Sequence, residues 1–204
     1  MNKLSNVSAC VDLIGNYIKA SDESFFSERK EDQRINIKKN NQIAYLIEGS
    51  VNMHRIEDGL LTVTMTAPAI IGIGQFRGER FTHYARCNSH CSMWVIDSDD
   101  AVNLFDRHAL WKPAYDILTN YLYSYFYRDN IVQKTNVREI VMEHLKEIWN
   151  SQREMKTSIS VYSYILSRNS ISRSAIHKAL SELINEGRIK INRGKLTDFN
   201  FDNV

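Results

Sequence analysis

Residues 170–196 read SISRSAIHKALSELINEGRIKINRGKL. In the first half of this stretch the apolar residues recur every three or four positions, which indicates one buried face of a helix made of Ile176, Leu180, Leu183 and Ile184. Ser172 is placed to cap the start of that helix. The basic second half alternates isoleucine with polar residues and contains Asn192-Arg193-Gly194, which is typical of a tight hairpin turn. A capped helix followed by a basic hairpin predicts a winged helix-turn-helix.

The charge distribution favours nucleic acid as the partner of this segment. Residues 156–204 carry eight Lys/Arg and four Asp/Glu, a net charge of +4. The other 155 residues carry 18 Lys/Arg and 20 Asp/Glu, a net charge of −2. A basic module joined to a mildly acidic one suits a polyanion-binding end with a second domain beside it, although charge alone also fits an ordinary solvated surface.

The leading end of the predicted helix carries the donors that a recognition helix needs in the major groove. Arg173 suits either a guanine or a phosphate, and His177 either a base or the backbone. Residues at the hairpin tip usually meet phosphate and therefore add affinity and salt dependence more than sequence choice. The predicted DNA-contacting residues are Ser172, Arg173, Ser174, His177, Lys178, Arg168, Lys190, Arg193 and Lys195.

Composition bounds the remaining possibilities. The chain has 204 residues, of which 43% are hydrophobic and 25% charged, as in ordinary globular proteins. No run approaches the roughly 20 apolar residues that span a bilayer, and the first residues lack an apolar secretory core, so we predict a cytoplasmic protein without a membrane segment. An odd and low count of three cysteines argues against a disulfide scaffold.

The pattern changes twice along the chain. A short amphipathic helix is predicted from Val7 to Ile18, and from about Phe25 to Ile96 short β-branched runs separated by Gly-bearing turns indicate an antiparallel barrel or sandwich. Helical spacing returns in a short helix around residues 102–105 and in a long one from about Trp111 to Val132. A further helix is predicted from Asn136, which caps it, to about Trp149.

The long helix has a wide apolar and aromatic stripe that something must cover. It either packs on the β domain of its own chain or pairs with a second copy, and the second alternative is favoured. The residues predicted for dimerisation are Ala114, Ile117, Leu118, Tyr121, Leu122, Tyr125 and Phe126.

This order of parts resembles the cyclic AMP receptor protein and FNR superfamily of bacterial transcription regulators. Two segments carry the resemblance: residues 172–176 (SRSAI) look like the start of that family's recognition helix, and residues 45–51 (YLIEGSV) look like its β-roll signature. Tyr164-Ile165-x-x-Arg168, with Gly194-Lys195-Leu196 in the wing, is most similar to the IprA-like group, named for inhibition of hydrogen peroxide resistance. One departure is Ser170, which stands where the family usually has glycine in the turn.

The resemblance implies an α+β fold: an N-terminal double-stranded β-roll like the cyclic-nucleotide-binding jelly roll, a long dimerisation helix and a C-terminal winged helix-turn-helix. We expect the β-roll with its N-terminal helix over residues 1–109, the dimerisation helix over 110–134 and the DNA-binding domain over 135–204. The implied partners are double-stranded DNA, a second copy of the chain and, as a further candidate, RNA polymerase. A dimer of this kind binds two half-sites about one helical turn, or roughly 34 Å, apart.

The sensor segment departs from the nucleotide-binding members of the family. Those members carry a Gly-Glu pair and a later Arg-Ser or Arg-Thr, whereas this chain has Ile73 in place of the glutamate and Phe81 after Arg80. Arg80 or Arg86 could still supply a charge for a phosphate. We nevertheless expect a degenerate sensor that does not bind cyclic AMP.

Other chemistry finds little support. Three cysteines cannot ligate a four-cysteine iron-sulfur cluster, and the six histidines show no metal-ligand spacing, so no cofactor or metal is expected. The family's long strand, from about Phe81 to Ile96, would place Cys87 and Cys91 roughly 13 Å apart on one face, as reduced core residues or as separate redox sensors. No constellation of nucleophile, base and oxyanion donors suggests an enzyme. The alternative to a DNA-binding regulator is an interaction module whose winged helix no longer binds DNA.

Overall fold

The computed structural model describes residues 5–37, 41–74, 82–151 and 159–200. The chain forms two compact units, residues 1–126 and residues 127–204, and the boundary between them falls inside the long helix. None of the described helices is long and apolar enough to cross a membrane.

The described part of the first unit contains two four-stranded antiparallel sheets. The first sheet has the order β1-β8-β3-β6 and the second the order β2-β7-β4-β5. Their strands are β1 (Phe25–Arg29), β2 (Arg34–Ile35), β3 (Gln42–Glu48), β4 (Ser50–Arg55), β5 (Leu61–Thr66), β6 (Ala69–Ile71), β7 (His83–Cys87) and β8 (Cys91–Asp97). The predicted β-roll is therefore confirmed.

Side-chain alternation explains why these sheets share a core. On β4, Val51 and Met53 are buried while Ser50, Asn52 and His54 are partly exposed, as expected for a strand with one face on a core. Gly49 makes the turn from β3 to β4 with a φ of +88°, and a Cβ there would lie 2.1 Å from the carbonyl oxygen of His90. Only glycine fits this turn, which explains its place in the YLIEGSV segment.

The expectation of one strand from about Phe81 to Ile96 is wrong. Phe81 lies outside the described residues, and the rest of the segment forms β7 and β8, which belong to different sheets. The chain turns at residues 88–90, where the Asn88 amide donates a hydrogen bond to the carbonyl of Ser50 at 2.8 Å.

Three helices cover the first sheet: α1 (Ser5–Ala20), α2 (Ser98–Arg107) and the beginning of α3 (Trp111–Val132). All three were predicted from apolar spacing. Gly15 allows close approach of α1 to the sheet, because a Cβ at this position would lie 2.4 Å from the ring of Tyr45. The apolar cluster formed here includes the fully buried side chains of Ile14, Phe105 and Ile117.

The second unit is a winged helix-turn-helix. Beyond the end of α3, its described elements are α4 (Val137–Asn150), α5 (Val161–Arg168), α6 (Arg173–Asn185), β9 (Ile189–Asn192) and β10 (Lys195–Phe199). As predicted, Asn136 and Ser172 cap their helices, with side chains that accept hydrogen bonds from Arg138 N at 2.9 Å and Ala175 N at 3.2 Å.

The core of this unit lies between α4, α5, α6 and the hairpin. Of the predicted buried face of α6, Ile176, Leu180 and Leu183 are buried, but Ile184 is 44% exposed. Ala179 takes its place in the core. The prediction for Ile184 is therefore wrong, because this residue lies outside the face of α6 that packs on α4 and the hairpin.

Candidate nucleic-acid interface

The leading end of α6 presents polar and basic side chains to solvent. Ser172, Arg173, Ser174, His177 and Lys178 are all exposed, while Ile176 between them is buried in the core. Within the described residues, neither Arg173 nor Lys178 forms a salt bridge with a carboxylate. The first two turns of α6 can therefore offer charged and hydrogen-bonding groups to a ligand while the rear of the helix stays fixed.

Tyr162 on α5 supports this surface, and the sequence reasoning missed it. Its hydroxyl and Nδ1 of His177 share a hydrogen bond of 2.8 Å, and its ring lies 5.7 Å from the guanidinium carbon of Arg173. When the hydroxyl donates to Nδ1, the neutral imidazole carries its proton on Nε2 and keeps that nitrogen as a donor. Tyr162 thereby orients one side chain of the interface and contacts a second.

The hairpin places two more cations at its tip. Asn192 pairs with Lys195 across the hairpin, and the two turn residues Arg193 and Gly194 have φ values of +49° and +78°, as a two-residue type I′ turn requires. The carbonyl of Gly194 accepts a hydrogen bond from the amide of Val161 at 2.9 Å, which ties the tip to the start of α5. Arg193 and Lys195 are exposed.

Two predicted contact residues are engaged within the protein. Lys190 donates to Asp198 at 2.9 Å across the hairpin, and this hydrogen bond and charge lower the pKa of the Asp198 carboxyl. Arg168 is half-buried, with its guanidinium carbon 3.5 Å from the centre of the Tyr164 ring, and burial lowers its pKa. The geometry of Arg168 is that of an internal packing residue, which differs from its predicted role at the DNA surface.

The turn between α5 and α6 forms without a left-handed residue. Within the fully described span 161–185 no residue has a positive φ, so Ser170 causes no backbone strain where the family usually has glycine. Asn169 instead adopts an extended conformation, with φ −140° and ψ 147°, and is 4% exposed.

Comparison with known proteins finds matches for the winged helix-turn-helix and for nearly the whole chain. Residues 138–201 match the family model for winged helix-turn-helix DNA binding. The chain is 26% identical over 172 residues to the inhibitor of hydrogen peroxide resistance of Escherichia coli K12, with 79% of this chain and 78% of that protein covered. The structure of the c-di-GMP responsive global regulator CLP of Xanthomonas campestris matches with a TM-score of 0.73 at 13% identity, covering 95% of this chain and 99% of that one. A Eubacterium rectale protein assigned to the crp/fnr family matches with a TM-score of 0.68 at 12% identity, covering 99% and 95%.

The chain has the fold of the CRP/FNR regulators. The predicted resemblance to this superfamily, and to the group named for inhibition of hydrogen peroxide resistance, is confirmed. Both structural relatives are described as regulators.

In this CRP/FNR fold the long helix α3 has two distinct apolar faces. Ala114 and Ile117 are buried against the first sheet, and Tyr121 donates its hydroxyl to the carbonyl of Ile70 at 3.2 Å. Burial raises the pKa of Tyr121 to about 12. These three residues were predicted for dimerisation, and the structure places them instead on the core of their own β-roll.

The second face of α3 is open to solvent. Leu122 is 44% exposed and Phe126 61% exposed, and both were in the predicted dimerisation set. Tyr115 and Tyr123, at 68% and 69%, extend this face and were not predicted. The predicted stripe was too wide for one contact, since it spans both the side of the helix toward the β-roll and the side toward solvent.

A cavity of about 200 Å³ lies between β4, β5, the start of β7, the glycines that follow β6, and α3. Leu118 and Tyr125, the remaining predicted dimerisation residues, line it together with Tyr121 and Leu122. Ile73, which stands in place of the family's glutamate, also lines it and is 6% exposed. Among the described lining residues, His83 is the one ionisable group besides the tyrosines, while Arg80 and Phe81 lie outside the described residues.

The two strand cysteines are closer than predicted. Cys87 ends β7 and Cys91 begins β8 after the turn at residues 88–90, and Cys91 lies close enough to raise the pKa of Cys87, so the expected separation along one strand is wrong. Both side chains are buried, at 1% and 0% exposure. Burial first, and then the neighbouring Cys91, raises the pKa of Cys87 to about 12, which disfavours the reactive thiolate at neutral pH. Redox sensing by either thiol stays a prediction.

Proposed function

We propose that this protein is a transcription regulator that binds a two-half-site operator as a homodimer. The observation that carries the proposal is the exposed set of donors and cations on α6 and at the hairpin tip. Arg173, Lys178, Arg193 and Lys195 form no salt bridge within the described residues, so their charges remain available to phosphates and base edges.

The exposed face of α3 supports the homodimer. Tyr115, Leu122 and Phe126 follow one another at spacings of seven and four residues, which places them on one stripe of the helix. Pairing with the same stripe of a second copy would remove these aromatic and aliphatic side chains from water. A two-fold dimer presents two copies of α6, and the half-sites should then be separated by about one helical turn of DNA, roughly 34 Å.

We further propose that the β-roll cavity does not bind cyclic AMP. A cyclic phosphate needs a cation and the sugar hydroxyl needs an acceptor, whereas the described lining is mostly apolar, with Met53, Met65 and Ile73 among its residues. Such a lining favours a small neutral molecule over an anion. Titration of the protein with cyclic AMP in a calorimeter should therefore give no binding heat, and micromolar binding would contradict this part of the proposal.

A gel-shift series with sheared genomic DNA at increasing salt tests DNA binding directly. Wild-type protein should retard a subset of fragments, and Arg173→Ala should weaken that retention. Lys146→Ala is a matched control, because Lys146 already pairs with Glu143 at 3.4 Å on α4 and its removal also deletes one positive charge from the same unit. If folded, dimeric wild-type protein retards no fragment even at low salt, the proposal fails and an interaction module with a silent winged helix is favoured.

A further inference from the structure

A buried histidine lies behind the helix-turn-helix. His144 on α4 is 1% exposed, and both of its ring nitrogens are hydrogen-bonded within the protein. Nδ1 lies 2.7 Å from Oε2 of Glu147 on the same helix. Nε2 lies 2.6 Å from the side-chain amide nitrogen of Asn169, the first residue of the turn between α5 and α6. The buried His144 imidazole belongs neither to the exposed interface nor to the apolar core, so its presence needs another explanation.

The hydrogen bonds define the protonation state of this histidine. The amide nitrogen of Asn169 also lies 3.4 Å from the carbonyl oxygen of Ile165, and a carbonyl can only accept, so this nitrogen is the donor. Nε2 of His144 must then accept from Asn169, and Nδ1 carries the proton that is donated to Glu147. His144 is thus a neutral imidazole with its proton on Nδ1.

The bond to Asn169 fixes the turn from which α6 starts. Asn169 is buried and extended, and only three residues later Ser172 caps α6, whose first turns carry Arg173 and His177. The turn lacks the glycine of the family, so its path depends on side-chain hydrogen bonds rather than on a left-handed backbone. On its other side, Arg128 of α3 donates to the carbonyl of Arg168 at 3.1 Å, directly before the turn.

We propose, on the basis of the proposed DNA-binding function, that His144 is a positioning residue for DNA recognition, because its hydrogen bond from Asn169 sets the turn that orients the leading end of α6. His144 does not touch the DNA. Its effect reaches the exposed surface through the buried hydrogen bond between α4 and the turn.

Two isosteric variants separate this bond from the rest of the side chain. Glutamine places its terminal amide at the position of Nε2 and can still accept from Asn169, whereas asparagine reaches only the position of Nδ1 and retains the contact with Glu147. Both variants are neutral and both leave a small void. His144→Gln should therefore keep the wild-type affinity for the tightest genomic fragment within about twofold, and His144→Asn should weaken it about tenfold, the equivalent of one hydrogen bond.

Asn169→Asp provides a pH readout that a purely structural role would not give. The introduced carboxylate can only accept, so the imidazole can donate to it from Nε2 and to Glu147 from Nδ1 at the same time only when the ring is protonated on both nitrogens. DNA affinity should therefore rise as the pH is lowered from 8 to 6. The other titratable or charged groups around this pair are Glu147 on α4, Tyr164 and Arg168 on α5, and Tyr127 and Arg128 on α3. All of these are common to the wild type, which serves as the control across the same pH range.

Amide hydrogen exchange of the free protein tests, without DNA, whether His144 orders the turn before α6. In His144→Asn, exchange at residues 169–176 should accelerate at least fivefold relative to both wild type and His144→Gln, with the core of β9 and β10 unchanged. Equal exchange and equal DNA affinity of the two variants would overturn the positioning role.

If the variants do not fold, the ¹⁵N chemical shifts of the wild-type His144 imidazole provide the test. A neutral ring with its proton on Nδ1 supports the proposal, and a proton on Nε2 overturns it. Failure of wild-type protein to bind any duplex would refute the proposed function and leave the exchange result intact.

Discussion

Phe126 is the most direct test of the dimer, because it is large, apolar and 61% exposed on the open face of α3. We predict that Phe126→Asp dissociates the dimer. The substitution removes an aromatic ring from the stripe shared with Tyr115 and Leu122 and places a carboxylate near its own copy across the two-fold axis. Two like charges at such a contact repel each other and must also lose hydration.

The magnitude follows from the exposed fraction of the ring. An aromatic side chain buries about 150–250 Å², so pairing of the exposed part removes roughly 90–150 Å² per copy from water. At about 25 cal/mol per Å² this contributes roughly 2–4 kcal/mol per copy, and both copies lose it. Ordering of side chains at the interface offsets part of this gain. We therefore expect the dimer dissociation constant to rise by about a thousandfold or more.

Sedimentation equilibrium over a wide range of protein concentration measures this constant. Asn120→Asp is the matched control, since it adds the same charge to the same helix about 120° around from Phe126. The control should remain dimeric, and circular dichroism should show equal helix content for both variants. A wild-type monomer, or a Phe126→Asp dimer as tight as the control, would refute the assignment of this face.

Three further outcomes are expected. Arg193→Ala should weaken binding to all duplexes alike and lower the slope of log affinity against log salt by about one unit in anisotropy titrations; loss at one operator position alone would argue for base contact. Leu183→Ala should cost about 2–5 kcal/mol of unfolding free energy in urea, and Ile184→Ala less than about 1 kcal/mol, so equal costs would contradict the observed face of α6. The hydrogen bond from Arg138 lowers the pKa of Glu186, so this pair should stabilise the fold above the unfolded pKa of the carboxyl and lose that contribution as the pH falls through the folded pKa. Glu186→Gln should therefore flatten the acid side of a plot of unfolding free energy against pH. An unchanged plot would show that the pair contributes nothing to stability.

Local signals in the sequence predicted most of the winged helix-turn-helix. Asn136 and Ser172 are polar residues directly before apolar helical periodicity, and both cap their helices through the predicted side chains. Asn192-Arg193-Gly194 forms the predicted turn, in which Gly194 takes one of the two left-handed positions, as glycine does most easily, and Arg193 takes the other. These features depend on neighbouring residues, and a single sequence displays them.

Contacts between distant residues were not predictable in the same way. The stripe on α3 was visible, but periodicity does not say which part of a wide stripe meets the β-roll and which part stays open. The bond between His144 and Asn169 joins residues 25 positions apart. The turn between Cys87 and Cys91 does have a local signal, the polar residues Asn88, Ser89 and His90, but the family resemblance implied a continuous strand there.

Hydroxyl-radical footprinting of the tightest genomic fragment, with the protein dimer in solution, tests the central claim most directly. We predict two protected and related half-sites whose centres lie about 10 base pairs, or roughly 34 Å, apart on one face of the duplex. Protection should weaken in both half-sites with Arg173→Ala. A single unpaired site, or no protection by folded protein at low salt, would contradict the account.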